Sequence, residues 1–174
     1  MKKKIVLMLT VIMLIGLAGC GKNQINIKET GTSDNNEQMV QNIYENKRTE
    51  VKQKISEIKE RLPETSAEDK GTCGSKAKWY YKDNTLIIYG EGVITEDTWH
   101  KSNIVINTVV IDSGITKLGN NMFSGLGSEV GKNIENFYIA DGLEEIGSST
   151  FVNCDCLSEI VLPPSLYFID GYTF

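Results

Sequence analysis

The sequence predicts a mixed α/β chain: an N-terminal signal and an amphipathic helix, then a β-hairpin and a short solenoid of stacked coils with a parallel sheet. Three observations predict it. A lysine-led apolar run closes on Cys20, residues 39–62 carry an apolar stripe at helical spacing, and the C-terminal half repeats five apolar columns.

The leader comes first. Lys2, Lys3 and Lys4 precede an apolar stretch from Ile5 to Ile15 broken by Thr10, and the run closes as Leu17-Ala18-Gly19-Cys20. A spanning helix needs about 20 apolar residues, and this run closes with small residues short of that, so residues 1–19 read as a signal peptide. Leu17-Ala18-Gly19-Cys20 resembles the lipobox of bacterial lipoproteins. That resemblance implies diacylglycerol on the Cys20 thiol, cleavage before it, and a mature chain held on the outer face of a bacterial membrane. Two acyl chains give firm anchoring where one gives only marginal binding.

Residues 20–38 are polar and lack aromatic residues or an apolar period, as a flexible tether does. From Met39 the character changes. Val40, Tyr44, Val51, Ile55, Ile58 and Leu62 recur at spacings of three, four or their sum, Glu50 and Lys54 form an i,i+4 pair, and Pro63 supplies a stop. The spacing predicts a helix over residues 39–63. It either packs on the following domain, stands as a stalk, or pairs weakly with a second copy; heptads broken at Lys47 are a poor coiled-coil pattern.

Residues 64–70 read as a polar linker, and a second domain is expected over residues 71–174. In Lys78–Gly92, Trp79 and Tyr81 alternate with Lys78, Tyr80 and Lys82, Asp83-Asn84 offers a turn, and Leu86 and Ile88 alternate with Ile87 and Tyr89. This is a hairpin pattern. Gly90 and Gly92 are expected to end its second strand.

Three segments then superimpose, beginning at Asn107, Glu135 and Ser158. Their apolar columns are Val109, Phe137 and Ile160; Ile111, Ile139 and Leu162; Ile115, Leu143 and Leu166; Leu118, Ile146 and Ile169; and Phe123, Phe151 and Phe174. The starts lie 28 and 23 residues apart, with the insertion at residues 127–132 accounting for the difference. That period is the mark of a leucine-rich-repeat solenoid, in which each coil buries its apolar face only by stacking on the next. Period-two alternation sends Val110, Tyr138 and Val161 outward, beside Thr108, Asn136 and Glu159. These six residues are the expected ligand face.

Other chemistries find little support. The formal net charge is −5 and the leader holds three of the lysines, so nucleic acid is an unsuitable partner. With Cys20 lipidated, Cys73, Cys154 and Cys156 remain, an odd number; Cys154 and Cys156 read as small core residues rather than a disulfide. The only histidine, His100, reads as a surface or packing residue, and Cys154-x-Cys156 lacks a second ligand pair. Asp141, Glu144 and Glu145 read as a solvated acidic face rather than a calcium site. Gly125, Gly127 and Gly131 lack the strand, helix and lysine of a phosphate loop. No catalysis, metal or cofactor is expected.

The motif I-x-x-I/L-G-x-x-x-F after a short strand, in Ile115–Phe123, Leu143–Phe151 and Leu166–Phe174, closely resembles the BspA-type leucine-rich repeats of bacterial surface proteins. The hairpin from Gly71 and Trp99 also match what precedes those repeats. The resemblance implies a cell-surface protein of adhesion or host-interaction type that binds a protein or glycan without chemistry. The alternatives are a structural envelope component or a truncated fragment of a longer adhesin. Asp170 stands where Gly119 and Gly147 stand in the earlier coils, and the terminal coil is expected to fray at Phe174. A buried Trp79 would mark the hairpin as the solenoid's N-terminal cap.

Overall fold

The computed structural model describes residues 34–102, 104–125 and 131–174, so the leader, Cys20 and most of the tether lie outside the described residues. One helix, α1 (Asp34–Arg61), precedes eight strands: β1 (Asp69–Thr72), β2 (Lys76–Lys82), β3 (Thr85–Ile94), β4 (Thr108–Ile111), β5 (Ile115–Leu118), β6 (Asn136–Ile139), β7 (Glu145–Ile146) and β8 (Phe168–Ile169). Helix α1 begins within the polar stretch expected to be tether, and β1 forms from the end of the stretch expected to be linker.

Strands β1, β2 and β3 form an antiparallel edge. The turn between β2 and β3 places both Asp83 and Asn84 at positive φ, 48° and 55°. That is the demand of a type I′ hairpin, which these two residue types meet at low cost. Beyond the hairpin the pairing is parallel. The first half of β3 pairs with β4, which pairs with β6; its second half pairs with β5, which pairs with β7 and then β8.

Gly90 and Gly92 therefore do not end β3 as expected. They bend it, with φ of 97° and 87° and a register shift between Gly92 and Val93. A Cβ at Gly90 would lie 2.3 Å from the Lys76 carbonyl oxygen, so this corner requires glycine on both dihedral and steric grounds. One bent strand thus supplies both walls of a coil, and the hairpin is the solenoid's own first turn.

The apolar columns of the sequence are rungs of the core. Leu86, Val109 and Phe137 stand in register, as do Ile88, Ile111 and Ile139, and Ile94, Leu118, Ile146 and Ile169. The last column is an aromatic ladder that Trp99 begins. Trp99, Phe123, Phe151 and Phe174 stack at centroid separations of 5.5, 6.2 and 5.3 Å, with ring planes within 18° of parallel. Phe137 sets its ring edge-on against both Phe123 and Phe151 at 4.9 Å. Each such pair adds about 0.5–1.5 kcal/mol beyond area burial.

Trp79 is buried, sits edge-on to Trp99 and donates from Nε1 to the Thr98 hydroxyl at 2.7 Å. The hairpin covers the ladder's first ring, as a cap does. At the other end the Phe151 N–H donates to the Thr173 carbonyl at 2.7 Å and Phe174 completes the stack.

One expected strand is missing. Ile160, Val161 and Leu162 form no ladder with β6. In earlier coils the closing bonds are Asp112 N–H to Ile88 carbonyl and Ala140 N–H to Ile111 carbonyl. The aligned residue is Pro163, which has no N–H to give.

The ladder makes a graded prediction. Phe151→Ala, flanked by rings on both sides, should cost about 3–5 kcal/mol. Phe174→Ala, flanked on one side and 43% exposed, should cost clearly less. Urea unfolding of the two variants measures this, and equal losses would contradict a ladder centred on Phe151.

Candidate functional site

The outward side of the β3–β4–β6 sheet holds two rows that matter. Thr85, Thr108 and Asn136 form a polar row at the strand starts, and Ile87, Val110 and Tyr138 form the next row along. An apolar row facing water would be costly, and here it is covered. Val51, Ile55, Ile58 and Leu62 of the α1 segment pack on Tyr80, Ile87 and Val110, with Tyr89, Tyr138, Ala140 and Val161 at the margin.

This corrects the expectation of an open face. Val110 is fully buried beneath the helix, and Val161 is half-buried against it. Tyr138 is half-buried at the helix margin, its hydroxyl 3.4 Å from the Asn136 side-chain oxygen. Thr108 is half-buried, Asn136 is exposed, and Glu159 is exposed but ion-paired with Lys47. Of the six expected residues, Thr108, Asn136, Tyr138 and Glu159 remain reachable beside the helix. The stripe that a helix-paired dimer would use is spent on the protein's own sheet.

Polar contacts fix the helix's position along the sheet. Its N-terminal half lies on the last coil, where the Tyr44 hydroxyl donates to the Leu162 carbonyl at 2.9 Å. Burial raises the Tyr44 pKa, so that hydroxyl keeps its proton. At the far end the Tyr80 hydroxyl donates to the Leu62 carbonyl at 2.9 Å. Lys59 reaches Asp112 at 2.5 Å between these points.

Arg48 is a key contact that apolar periodicity passes over. It falls on the same stripe as Tyr44, Val51, Ile55, Ile58 and Leu62, yet only 3% of it is exposed. Its Nη1 donates to the Val161 carbonyl at 2.9 Å and its Nη2 to Asp141 at 2.7 Å. Its Nε has no partner among the described residues. A buried guanidinium demands such bonds, since an unpaired buried charge is expensive. Its position within the 3.6-residue period is the signal that could have found it.

Asp141 also accepts from Lys52 at 2.7 Å. Partial burial pushes its carboxyl pKa up, but hydrogen bonds from Lys52 and Arg48 outweigh this and hold it below the ordinary value of 3.8. Glu145 is held low by hydrogen bonds from Lys117 and Tyr167. These carboxylates thus serve ion pairs, and no group of three or more acidic, cysteine or histidine residues suited to a metal occurs among the described residues.

The remaining candidates have structural partners. His100 Nδ1 lies 2.9 Å from Asp97. Cys154 is buried, with its thiol 3.1 Å from the Phe123 carbonyl, whereas Cys156 is exposed rather than in the core as expected. Burial pushes the Cys73 and Cys154 thiols up to about 12, which keeps them protonated and poorly nucleophilic.

On the helix flank away from Asp112 and Asp141 a groove of about 400 Å³ stays open. Lys54, Glu57, Ile58 and Arg61 form one wall, and Thr85, Thr108 and Tyr138 line the sheet side.

The Asp141 latch gives a pH prediction. A carboxyl whose pKa is lowered by folding stabilises the fold above its unfolded value, and that contribution disappears as pH falls through the folded value. The helix should therefore be fully latched at neutral pH and loosen as pH drops below about 4. Thermal melts of the protein and of Asp141→Asn should differ at pH 7 and converge toward pH 2; a constant difference would contradict the latch.

Among the described residues no helix is long and apolar enough to cross a membrane. No curated protein matches the chain. Among solved structures, a leucine-rich repeat protein from Eubacterium ventriosum is similar at 24% identity and a TM-score of 0.40, over 49% of this chain and 23% of that one. The chain therefore spans about a quarter of the solved relative. A family model described as the BspA type leucine rich repeat region matches residues 87–174, just over half of the chain. Its first matched residue lies in β3, the strand that forms the first coil. The chain belongs to the BspA-type leucine-rich-repeat family.

Proposed function

We propose that this protein is a lipid-anchored cell-surface binding module that recognises a protein or glycan partner in adhesion or host interaction. Family membership supports an interaction role displayed outside a bacterial cell. The observation that carries the reading here is the division of the sheet face. Helix α1 fills the apolar row, while Thr108, Asn136, Glu159 and the edge of Tyr138 stay accessible beside it. A rigid polar strip next to an aromatic edge suits specific recognition, since it leaves the partner few groups to order.

Anchoring follows from the Leu17-Ala18-Gly19-Cys20 motif, with the chain then entering the fold beside the last coil, where Tyr44 and Arg48 dock. Lipid at one end and coils held outward form a display device. A self-associating envelope component is the weaker reading, because α1's stripe is already buried.

Two measurements test this. Mass spectrometry of the mature N-terminus should show a diacylglycerol-modified Cys20, and an unmodified Cys20 would overturn the anchor. A Cys20→Ser chain should bind within a panel of purified extracellular matrix proteins and glycans. Asn136→Arg should lower that signal about tenfold while Lys76→Glu, on the distant hairpin, leaves it unchanged. Equal effects would overturn the assignment of the strip.

A further inference from the structure

The groove beside α1 has the features of a ligand site of defined chemistry, an assignment that rests on the non-enzymatic binding role proposed above. Thr85 and Thr108 line its sheet side, and Asn136 continues their row in register on the next parallel strand. Such strands lie about 4.8 Å apart, a spacing close to the length of one pyranose unit. Thr108 and Asn136 offer a hydroxyl and an amide, while Thr85 is buried at the groove's base. The Thr108 hydroxyl has no hydrogen-bond partner among the described residues, and that of Thr85 has only a long contact, 3.3 Å, to the Asp83 carbonyl.

The other groups add two requirements. The half-buried Tyr138 brings an aromatic surface with a polar tip, the kind of side chain that packs on the apolar face of a sugar ring while still hydrogen-bonding. On the helix side stand the cations Lys54 and Arg61. Lys54 is paired with Glu57 at 3.2 Å. Arg61 has no ion-pair partner among the described residues. An exposed guanidinium at the mouth of a hydroxyl-lined groove, on a chain of net charge −5, selects a carboxylate, which it can hold through two parallel bonds.

Peptide partners fit this groove less well. A peptide strand adds to a free sheet edge and a peptide helix fills an apolar groove; here the groove opens on the face of the sheet rather than along the free edge of β6, and the apolar row is already occupied by α1.

We propose that the groove between α1 and the sheet residues Thr85, Thr108 and Tyr138 binds a linear glycan carrying carboxylate groups, with Arg61 receiving the carboxylate and Tyr138 packing on a sugar ring.

The test uses the full mature chain as Cys20→Ser, titrated calorimetrically with a linear uronic-acid-containing hexasaccharide and with the same hexasaccharide after carboxyl reduction. The carboxylated form should bind more tightly. Arg61→Gln, on the exposed helix surface, should weaken that binding about tenfold, the loss of one charge-assisted hydrogen bond, and leave the reduced form unaffected. Tyr138→Ala should weaken both forms, with unchanged amide exchange across α1 showing that the helix remains docked. Absence of binding to either form, equal affinity for both, or indifference to Arg61→Gln would each overturn the proposal. Binding of a matrix protein that survives Arg61→Gln would also overturn it while leaving the broader binding role standing.

Discussion

The β3–β4–β6 sheet has two faces, and each carries apolar side chains that must be hidden from water. The inner face is filled by the rungs of the solenoid, Leu86 and Ile88, Val109 and Ile111, Phe137 and Ile139. The outer face presents Ile87 and Val110, which must be hidden by something from outside the coils. Helix α1 satisfies that constraint. Burying Val51, Ile55, Ile58 and Leu62 against this row contributes about 1.5–3 kcal/mol per side chain before chain entropy is counted. The helix thus belongs to the domain, and its docking determines which part of the sheet a partner can reach.

The columns from Val109 to Phe174 are legible in the sequence, because stacking forces the same side-chain type into the same place in each coil. The covered face leaves a trace there too. Leu86-Ile87-Ile88, Val109-Val110-Ile111 and Ile160-Val161-Leu162 are continuous apolar runs, the pattern of strands buried on both sides. Period-two alternation alone sends Val110 outward without saying whether outward means solvent. The missing strand at Ile160–Leu162 runs into Pro163 and Pro164, neither of which has an N–H to give, and the bend in β3 rests on glycine conformations that a strand pattern mistakes for an end.

Arg48 shows the other limit. A cation inside an apolar stripe looks like an interruption until the partner that neutralises it is known, and Asp141 is 93 residues away in sequence. The acidic residue near a turn and the odd charge on the helix explain each other only once folded. The same contact gives α1 a defined register along the sheet, which apolar packing alone would fix less sharply. Register in turn leaves Lys54 and Arg61 over the open groove and sends Lys52 and Lys59 to the other flank.

Whether α1 is an integral layer of the domain is measured most directly by amide hydrogen exchange across residues 44–62, compared with β4. If the helix is what closes the sheet's outer face, its amides exchange as slowly as those of Val109–Ile111, because both open only when the domain unfolds. Exchange in the helix that runs far ahead of β4 would contradict the account, showing a stalk that leaves Ile87 and Val110 without their cover.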